Sequence, residues 1–281
     1  MLVSRIGGLS SLTPYDIIAI RYAVAGVIFL GVWLYHRFPL FTMQNIALTL
    51  SGGLFYTLFV FVGFTFSPVS HAAILLPGSI PFMTALFAYF LLGEVPSKHR
   101  RIGLVIIAVG ISFLGFENLH LQGVTLQGDI LLLLGAASWC LYSVLLKKWN
   151  VAPLKAATGL TILTALCFLP VHIVFLPKNI AQAPLKDIML PAIYQGILVS
   201  CVQMLLYIRT ISILGPSRLG MLMACVPAFA SILAVPLLDE HLSYSIVIGL
   251  IFVSFGAYWG NKRVKTPRTP MPSTKSAPPS P

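Results

Sequence analysis

Acidic residues are scarce in this chain: seven Asp and Glu stand among 281 residues, and charged residues of both signs make up only 9%. Soluble domains carry about 25% charged residues. Hydrophobic residues reach 58% and the mean hydropathy is +0.93. One soluble core cannot bury so much apolar surface, so the composition predicts a membrane protein that crosses the bilayer several times.

The few acids all lie at predicted helix ends or in loops, at Asp16, Glu94, Glu117, Asp129, Asp187, Asp239 and Glu240. A relay of carboxylates inside the membrane, as used for proton coupling in many pumps, is therefore not predicted. We interpret Glu94 and Glu240 as markers of the membrane interface rather than as ion-coupling groups.

Motifs for catalysis, nucleotides and metals are also missing from the sequence. The four cysteines lie in apolar runs without CxxC spacing, which favours packing roles over a disulfide framework or a zinc site. The sequence contains no GxxxxGK[ST] loop, no HExxH and no GxSxG motif. We therefore expect neither an enzyme nor a cofactor.

Long apolar runs fill most of the chain, and most approach the ~20 residues that a helix needs to cross a bilayer. They lack the alternation of membrane strands, so an all-α polytopic protein is predicted. The nine predicted spans lie at about 17–36, 45–66, 69–92, 102–116, 129–146, 157–176, 188–208, 217–238 and 244–260. Residues 261–281 form a basic tail rich in Pro, Ser and Thr, for which we predict disorder.

The distribution of Lys and Arg predicts the orientation. With the C-terminal tail in the cytoplasm, nine spans place fourteen Lys and Arg on the cytoplasmic side and three outside. This is the bias expected for short cytoplasmic loops, and it puts the N-terminus outside. The formal charge of +11 is explained in this way, and nucleic-acid binding is not expected.

An internal repeat organises the chain. The first copy runs through a Pro, a Leu and a Glu at the end Leu92-Gly93-Glu94, and two glycines seven residues apart, and these five residues recur 146 positions later. The pairs are Pro81 and Pro227, Leu92 and Leu238, Glu94 and Glu240, Gly103 and Gly249, and Gly110 and Gly256. An odd number of spans separates the copies, so they are inverted relative to each other, as in many secondary transporters.

This pattern resembles the EamA-type transporters of the drug/metabolite transporter superfamily. The resemblance rests on Ser67 to Glu94, on Leu214 to Glu240, and on Leu12-Thr13-Pro14 followed by Arg21. It implies ten helices in two inverted repeats of five, which move small organic solutes, often outward, across the cytoplasmic membrane. Residues 1–116 form the first repeat, without its first helix, and residues 128–260 form the second.

The expected function is a secondary transporter of amino acids or related metabolites, or of drugs, that exports by alternating access. Two other classes stay open at this stage: a membrane-embedded scaffold or enzyme, and a passive channel. The expected partners are a small-molecule substrate and the lipid bilayer, and a homodimer is left open.

Polar and aromatic residues within spans are the candidate substrate contacts, because amides and hydroxyls avoid lipid. They are Arg21, Tyr56, Ser79, Trp139, Tyr142, Gln195, Gln203 and Tyr207. Arg21 has two readings: its cation returns to the outer interface near Asp16, or it faces a cavity and attracts an anionic or zwitterionic solute.

Prolines and glycines within the spans predict helix bends and close helix packing. Pro81 and Pro227 each free a backbone carbonyl, which predicts either flexing hinges or fixed kinks. The glycines at 103, 110, 249 and 256 lie two turns apart on one helix face and predict close helix contact.

Overall fold

The computed structural model describes residues 12–67, 69–119, 126–226 and 244–262. All the regular secondary structure in these ranges is helical, as predicted. We label the helices α1 (Pro14–His36), α2 (Met43–Phe66), α3 (Val69–Leu92), α4 (Lys98–Leu119), α5 (Leu126–Trp149), α6 (Pro153–Phe175), α7 (Leu185–Leu214), α8 (Pro216–Met223) and α9 (Tyr244–Gly260).

Six of the described helices are long and apolar enough to cross a membrane: α1, α2, Leu75–Leu92 of α3, α5, α6 and α7. Many large apolar side chains point out of the bundle, among them Val27, Tyr35, Phe90 and Phe175, each more than 70% exposed. Such a surface requires lipid, so the chain is an all-helical membrane protein. The total of nine spans stays a prediction, because part of the span at 217–238 lies outside the described residues.

Local sequence explains where α1 begins and ends. The Thr13 side chain accepts a hydrogen bond from the Asp16 amide, and the Asp16 carboxylate accepts one from the Thr13 amide, which is a complete capping box. Pro14 occupies the first turn, where its missing N–H costs nothing. Arg37 ends the helix in the left-handed conformation with φ 55°.

Helices α2 and α7 each contain a π-helical segment, Thr49–Phe55 in α2 and Ala192–Gln203 in α7. With the 146-residue offset of the repeat, residues 49–55 fall on residues 195–201, so both copies carry the distortion at the same place. π-helical turns are rare and often lie at functional sites. The duplication therefore includes a backbone irregularity that the pattern of apolar residues does not show.

The repeated glycines form the contact between α4 and α9. A Cβ on Gly103 would lie 2.6 Å from the Gly256 carbonyl oxygen, and one on Gly110 would lie 2.8 Å from the Gly249 oxygen. Gly103 faces Gly256 and Gly110 faces Gly249, so the helices are antiparallel and equivalent glycines exchange places across the contact. This confirms the predicted close packing and is the geometry of inverted repeats.

The main core is a separate cluster that joins α1, α5, α6, α7 and the part of α2 just before its π-helical segment. Tyr22, Phe29 and Leu48 are at most 2% exposed there. Gly52 allows the ring of Tyr142 to approach, because a Cβ on this glycine would lie 2.5 Å from the ring. Core residues therefore lie beside or within both π-helical segments, with Leu48 just before the first and Cys201 in the second.

Candidate functional site

A cavity of about 440 Å³ lies inside the bundle. Its described walls come from α1, α2, α3, α5, α7 and the segment after Gly215, so both repeats contribute. The residues in its lining are Arg21, Tyr56, Val60, Phe61, Phe64, Leu76, Pro77, Ile80, Ala136, Trp139, Tyr194, Gln195, Val199, Gln203, Met204, Tyr207, Met223 and Val226. Cavities of this size typically hold small organic molecules.

The structure brings together six of the eight candidate contacts in this lining: Arg21, Tyr56, Trp139, Gln195, Gln203 and Tyr207. Arg21 and Tyr207 each lie seven residues from the nearer end of their helix, or about two turns inside it. The cavity is therefore well inside the bundle, between the helix ends.

One wall is a cluster of aromatic rings around Trp139. The ring centroids of Tyr56, Tyr207 and Tyr142 lie 4.7, 5.0 and 5.3 Å from that of Trp139, all in tilted arrangements. The Ser143 hydroxyl donates to the Trp139 carbonyl at 2.8 Å, so it is free to accept from the Tyr207 hydroxyl, also at 2.8 Å. These contacts hold the wall rigid and turn apolar ring surface toward the cavity.

Arg21 is the one charged residue among the described lining residues. Its Nε donates to the Ser200 hydroxyl at 2.8 Å, and that hydroxyl donates to the Gln195 carbonyl at 2.8 Å. The π-helical segment of α7 makes the second bond, which joins residues five positions apart. Arg21 is thus held by α7, from the opposite repeat, and it borders the cavity.

Asp16 does not neutralise Arg21. Its Oδ1 lies 3.0 Å from His172 Nε2, and its Oδ2 accepts from the backbone amides of Thr13 and Asn179, each at 2.9 Å. The carboxylate is fully buried. The Asp16 side chain therefore ties α1 to the end of α6, and the reading in which Arg21 turns back toward Asp16 does not describe the structure.

The other candidates lie outside the cavity lining. The Ser79 hydroxyl donates to the Leu75 carbonyl of its own helix at 2.6 Å. Tyr142 is fully buried behind Trp139, and its hydroxyl has no hydrogen-bond partner within the described part of the chain. Pro81 is buried inside α3 one turn from Pro77, which does line the cavity. The predicted hinge Pro227 lies outside the described residues.

Sequence reasoning missed several lining residues. Phe61 and Phe64 had no signal beyond those of ordinary apolar spans, whereas Tyr194 carried the same signal as Tyr207, a hydroxyl inside the span predicted at 188–208. Ser200, which bonds Arg21 but does not itself line the cavity, also had a signal, since it is a hydroxyl inside an apolar run five residues after Gln195. A spacing of five does not place two residues on one face of an α-helix, so only the π-helix explains the link.

A second group of polar contacts joins the repeats at the opposite end of the bundle. Glu94, just after α3, accepts a hydrogen bond from the Ser217 hydroxyl at 2.9 Å and lies 3.6 Å from Arg100. Nothing in the described ranges gathers three or more metal-ligating side chains. These contacts are structural in kind, and the cavity remains the candidate site.

Similar proteins are transporters. An uncharacterized transporter of Clostridium kluyveri is 24% identical over 207 residues, which are 71% of this chain and 66% of that protein. The uncharacterized transporter YcxC of Bacillus subtilis is 25% identical over 286 residues, which cover 95% of this chain and 90% of the relative. A solved crystal structure shares the fold with a TM-score of 0.73, at 21% identity over 89% of each chain.

The family comparison covers most of the chain. The sequence model of the EamA-like transporter family matches residues 1–116 and 126–261. Family and relatives alike indicate a transporter rather than an enzyme. With its all-helical membrane fold and the match over both ranges, the chain belongs to the EamA-like transporter family.

Proposed function

We propose that this protein is a secondary transporter that carries small organic metabolites across the cytoplasmic membrane, in the export direction, by alternating access. The substrate binds in the cavity between the repeats, in contact with Arg21, Tyr56, Trp139, Gln195, Gln203 and Tyr207. The direction follows the resemblance to exporters. The excess of Lys and Arg in the loops assigned to the cytoplasm supports a cytoplasmic C-terminus.

The cavity itself carries this proposal. Its described lining contains one cation, two amides and three tyrosines among apolar side chains, and no carboxylate. A few polar groups on an apolar background are typical of sites for small organic molecules. The lining comes from both repeats, which is where transporters of inverted design bind their substrates.

The prolines of α3 supply the proposed movement. Pro81 cannot donate to the Pro77 carbonyl, and Pro77 itself lines the cavity, so a bend in α3 would move this wall directly. Pro227 is the equivalent residue of the second repeat. We propose that both act as hinges when the access side changes.

Flux into proteoliposomes tests the function. The purified chain is reconstituted and screened with radiolabelled amino acids and small carboxylates, beside the variant Ala136→Phe. Ala136 lines the cavity and is 1% exposed, so a phenyl ring at this position should fill part of the substrate space and abolish flux. Leu134→Phe is the control, because Leu134 lies on the same helix, is 45% exposed and should keep its flux.

Counterflow distinguishes a carrier from the other classes. A carrier shows saturable uptake and is accelerated by unlabelled substrate on the opposite side, because the loaded site crosses faster than the empty one. A channel shows neither property. Absence of flux for every solute, with folded and correctly inserted protein, would contradict the proposal and favour a scaffold.

A further inference from the structure

The charge of the cavity is unbalanced. Arg21 contributes the one formal charge among the described lining residues, and no described carboxylate lies within ion-pairing distance of it. The nearest acid along α1, Asp16, is engaged with His172 and two backbone amides. An arginine inside a membrane bundle is costly when it has no counter-ion, so a bound anion would relieve this cost.

The arginine is also oriented for a ligand. Its Nε is bonded to Ser200, which is fixed in turn by the Gln195 carbonyl. This leaves the two terminal nitrogens of the guanidinium, which are not hydrogen-bonded to any described residue. Two parallel N–H groups on a planar fork match the two oxygens of a carboxylate.

The opposite requirement, a place for a cation, is not met by the described walls. They contain no acid, so an ammonium group would meet only neutral partners there, namely aromatic ring faces and the amide oxygens of Gln195 and Gln203. An ammonium group would therefore lose its hydration without gaining a counter-ion, and it would share the cavity with the positive charge of Arg21.

We propose that the substrate is an organic monoanion: one carboxylate, bound by Arg21, attached to an apolar or aromatic body that packs on Trp139 and Tyr207. Solutes that have the same apolar body but carry an ammonium group, either beside the carboxylate or in its place, bind more weakly. This inference rests on the proposed transport function and specifies the chemistry of its site.

Three ligands with the same phenylethyl body test the charge rule. They are 3-phenylpropionate, phenylalanine and phenethylamine, which at pH 7.4 are an anion, a zwitterion and a cation. Calorimetric titration of the full-length protein in lipid nanodiscs should show 3-phenylpropionate binding about tenfold or more tightly than the other two. Equal or tighter binding of phenylalanine or phenethylamine would overturn the proposal, and so would the absence of binding by all three.

Variants of Arg21 assign the charge effect to one residue. Arg21→Gln should weaken 3-phenylpropionate about tenfold to a hundredfold and should not weaken phenethylamine, because the guanidinium attracts the anion and repels the cation. Arg21→Lys should keep part of the preference, since it retains the charge but loses the fork. Arg209→Gln is the control, because Arg209 is exposed and lies outside the cavity lining.

The outcomes separate this inference from the transport function. If Arg21→Gln does not yield folded protein, the ranking of the three ligands on the natural chain still decides the question. Saturable flux of amino acids or amines into proteoliposomes, without flux of the matched monoanions, would support the transport function and overturn the proposed preference for monoanions. A preference for the anion that persists in Arg21→Gln would overturn the role of Arg21.

Discussion

Helices α1 and α6 are the same element in the two repeats, and they pack against each other in the core. Each has 23 residues and begins with a proline. Aligning these prolines places Ile18 on Ala157 and Phe29 on Phe168, and all four residues are at most 4% exposed. The two helices therefore bury the same positions.

Their charges differ at the same alignment. Asp16 falls on Lys155, and Arg21 falls on Leu160. In α1 the acid is buried against His172 and the base borders the cavity, whereas in α6 the position equivalent to Arg21 holds Leu160, which is buried in the core outside the cavity lining. Duplication thus preserved the shape of the helix, while the ionisable groups are specific to one copy. The one charged residue in the described cavity lining is thus among the residues that the repeats do not share.

The largest effect is expected from giving α6 the arginine of α1. Leu160 is 4% exposed and packs on Gly52 and Gly53, so Leu160→Arg would bury a charge without a partner. We expect a loss of about 3 kcal/mol or more in the free energy of unfolding. Yield of monodisperse protein and unfolding in SDS mixed micelles measure it. Leu160→Met is the control. A stable Leu160→Arg would contradict the conclusion that α1 accommodates an arginine at this position and α6 does not.

The shared core positions should behave alike. Phe29→Ala and Phe168→Ala each remove a buried ring at equivalent places, 2% and 4% exposed. Each should cost about 3–5 kcal/mol of unfolding free energy, and the two costs should agree within about 1 kcal/mol. The same SDS titration applies, with Phe175→Ala as the control because Phe175 is 79% exposed. A large difference between the two buried sites would show that burial is not equivalent.

The buried pair of Asp16 and His172 should cost less to break. Asp16→Asn weakens the contact with His172, and we expect about 1–3 kcal/mol of destabilisation. A double-mutant cycle with His172→Gln should give a coupling of about 0.5–3 kcal/mol. Lys155→Gln, at the equivalent position of α6, should change stability by less than about 0.5 kcal/mol. Additive effects of Asp16→Asn and His172→Gln would rule out a direct interaction.

The smallest effect is expected at a glycine that packs against nothing. A Cβ on Gly31 of α1 would meet no described atom within 4 Å, so Gly31→Ala should stabilise the protein by about 0.5–1 kcal/mol through helix propensity. Gly103→Ala should destabilise it instead, because its Cβ would lie 2.6 Å from the Gly256 oxygen. Thermal unfolding of both variants measures the contrast. If both substitutions changed stability in the same direction, α4 and α9 would not be in contact at Gly103.

Much of the site was accessible from the sequence because polar residues are conspicuous in apolar spans. Arg21, Trp139 and Gln195 were found in this way, and all three line the cavity. Ser79 and Tyr142 gave the same signal but point elsewhere: Ser79 bonds its own helix and Tyr142 stands behind Trp139. A polar side chain in a span avoids lipid, but it can do so by bonding to a helix as well as by facing a cavity.

Sequence periodicity could not predict the rotation of each helix about its own axis, which decides which side chains face the cavity. Each residue turns a helix by about 100°, so the extra residue in a π-helical turn moves the side chains that follow onto another face. The segments at Thr49–Phe55 and Ala192–Gln203 do this in both repeats. The approach of Ser200 to Arg21 depends on that rotation.

The sequence by itself determined the membrane class, the apolar helices and the inverted repeat, because each depends on local quantities: the length of apolar runs and the spacing of Pro, Gly and Glu. Only the tertiary structure decided that Asp16 meets His172 and that Arg21 meets Ser200, which lie 156 and 179 positions apart. Such pairs depend on helix packing and rotation. These decide which charge is paired inside the protein and which borders the cavity without a described counter-ion.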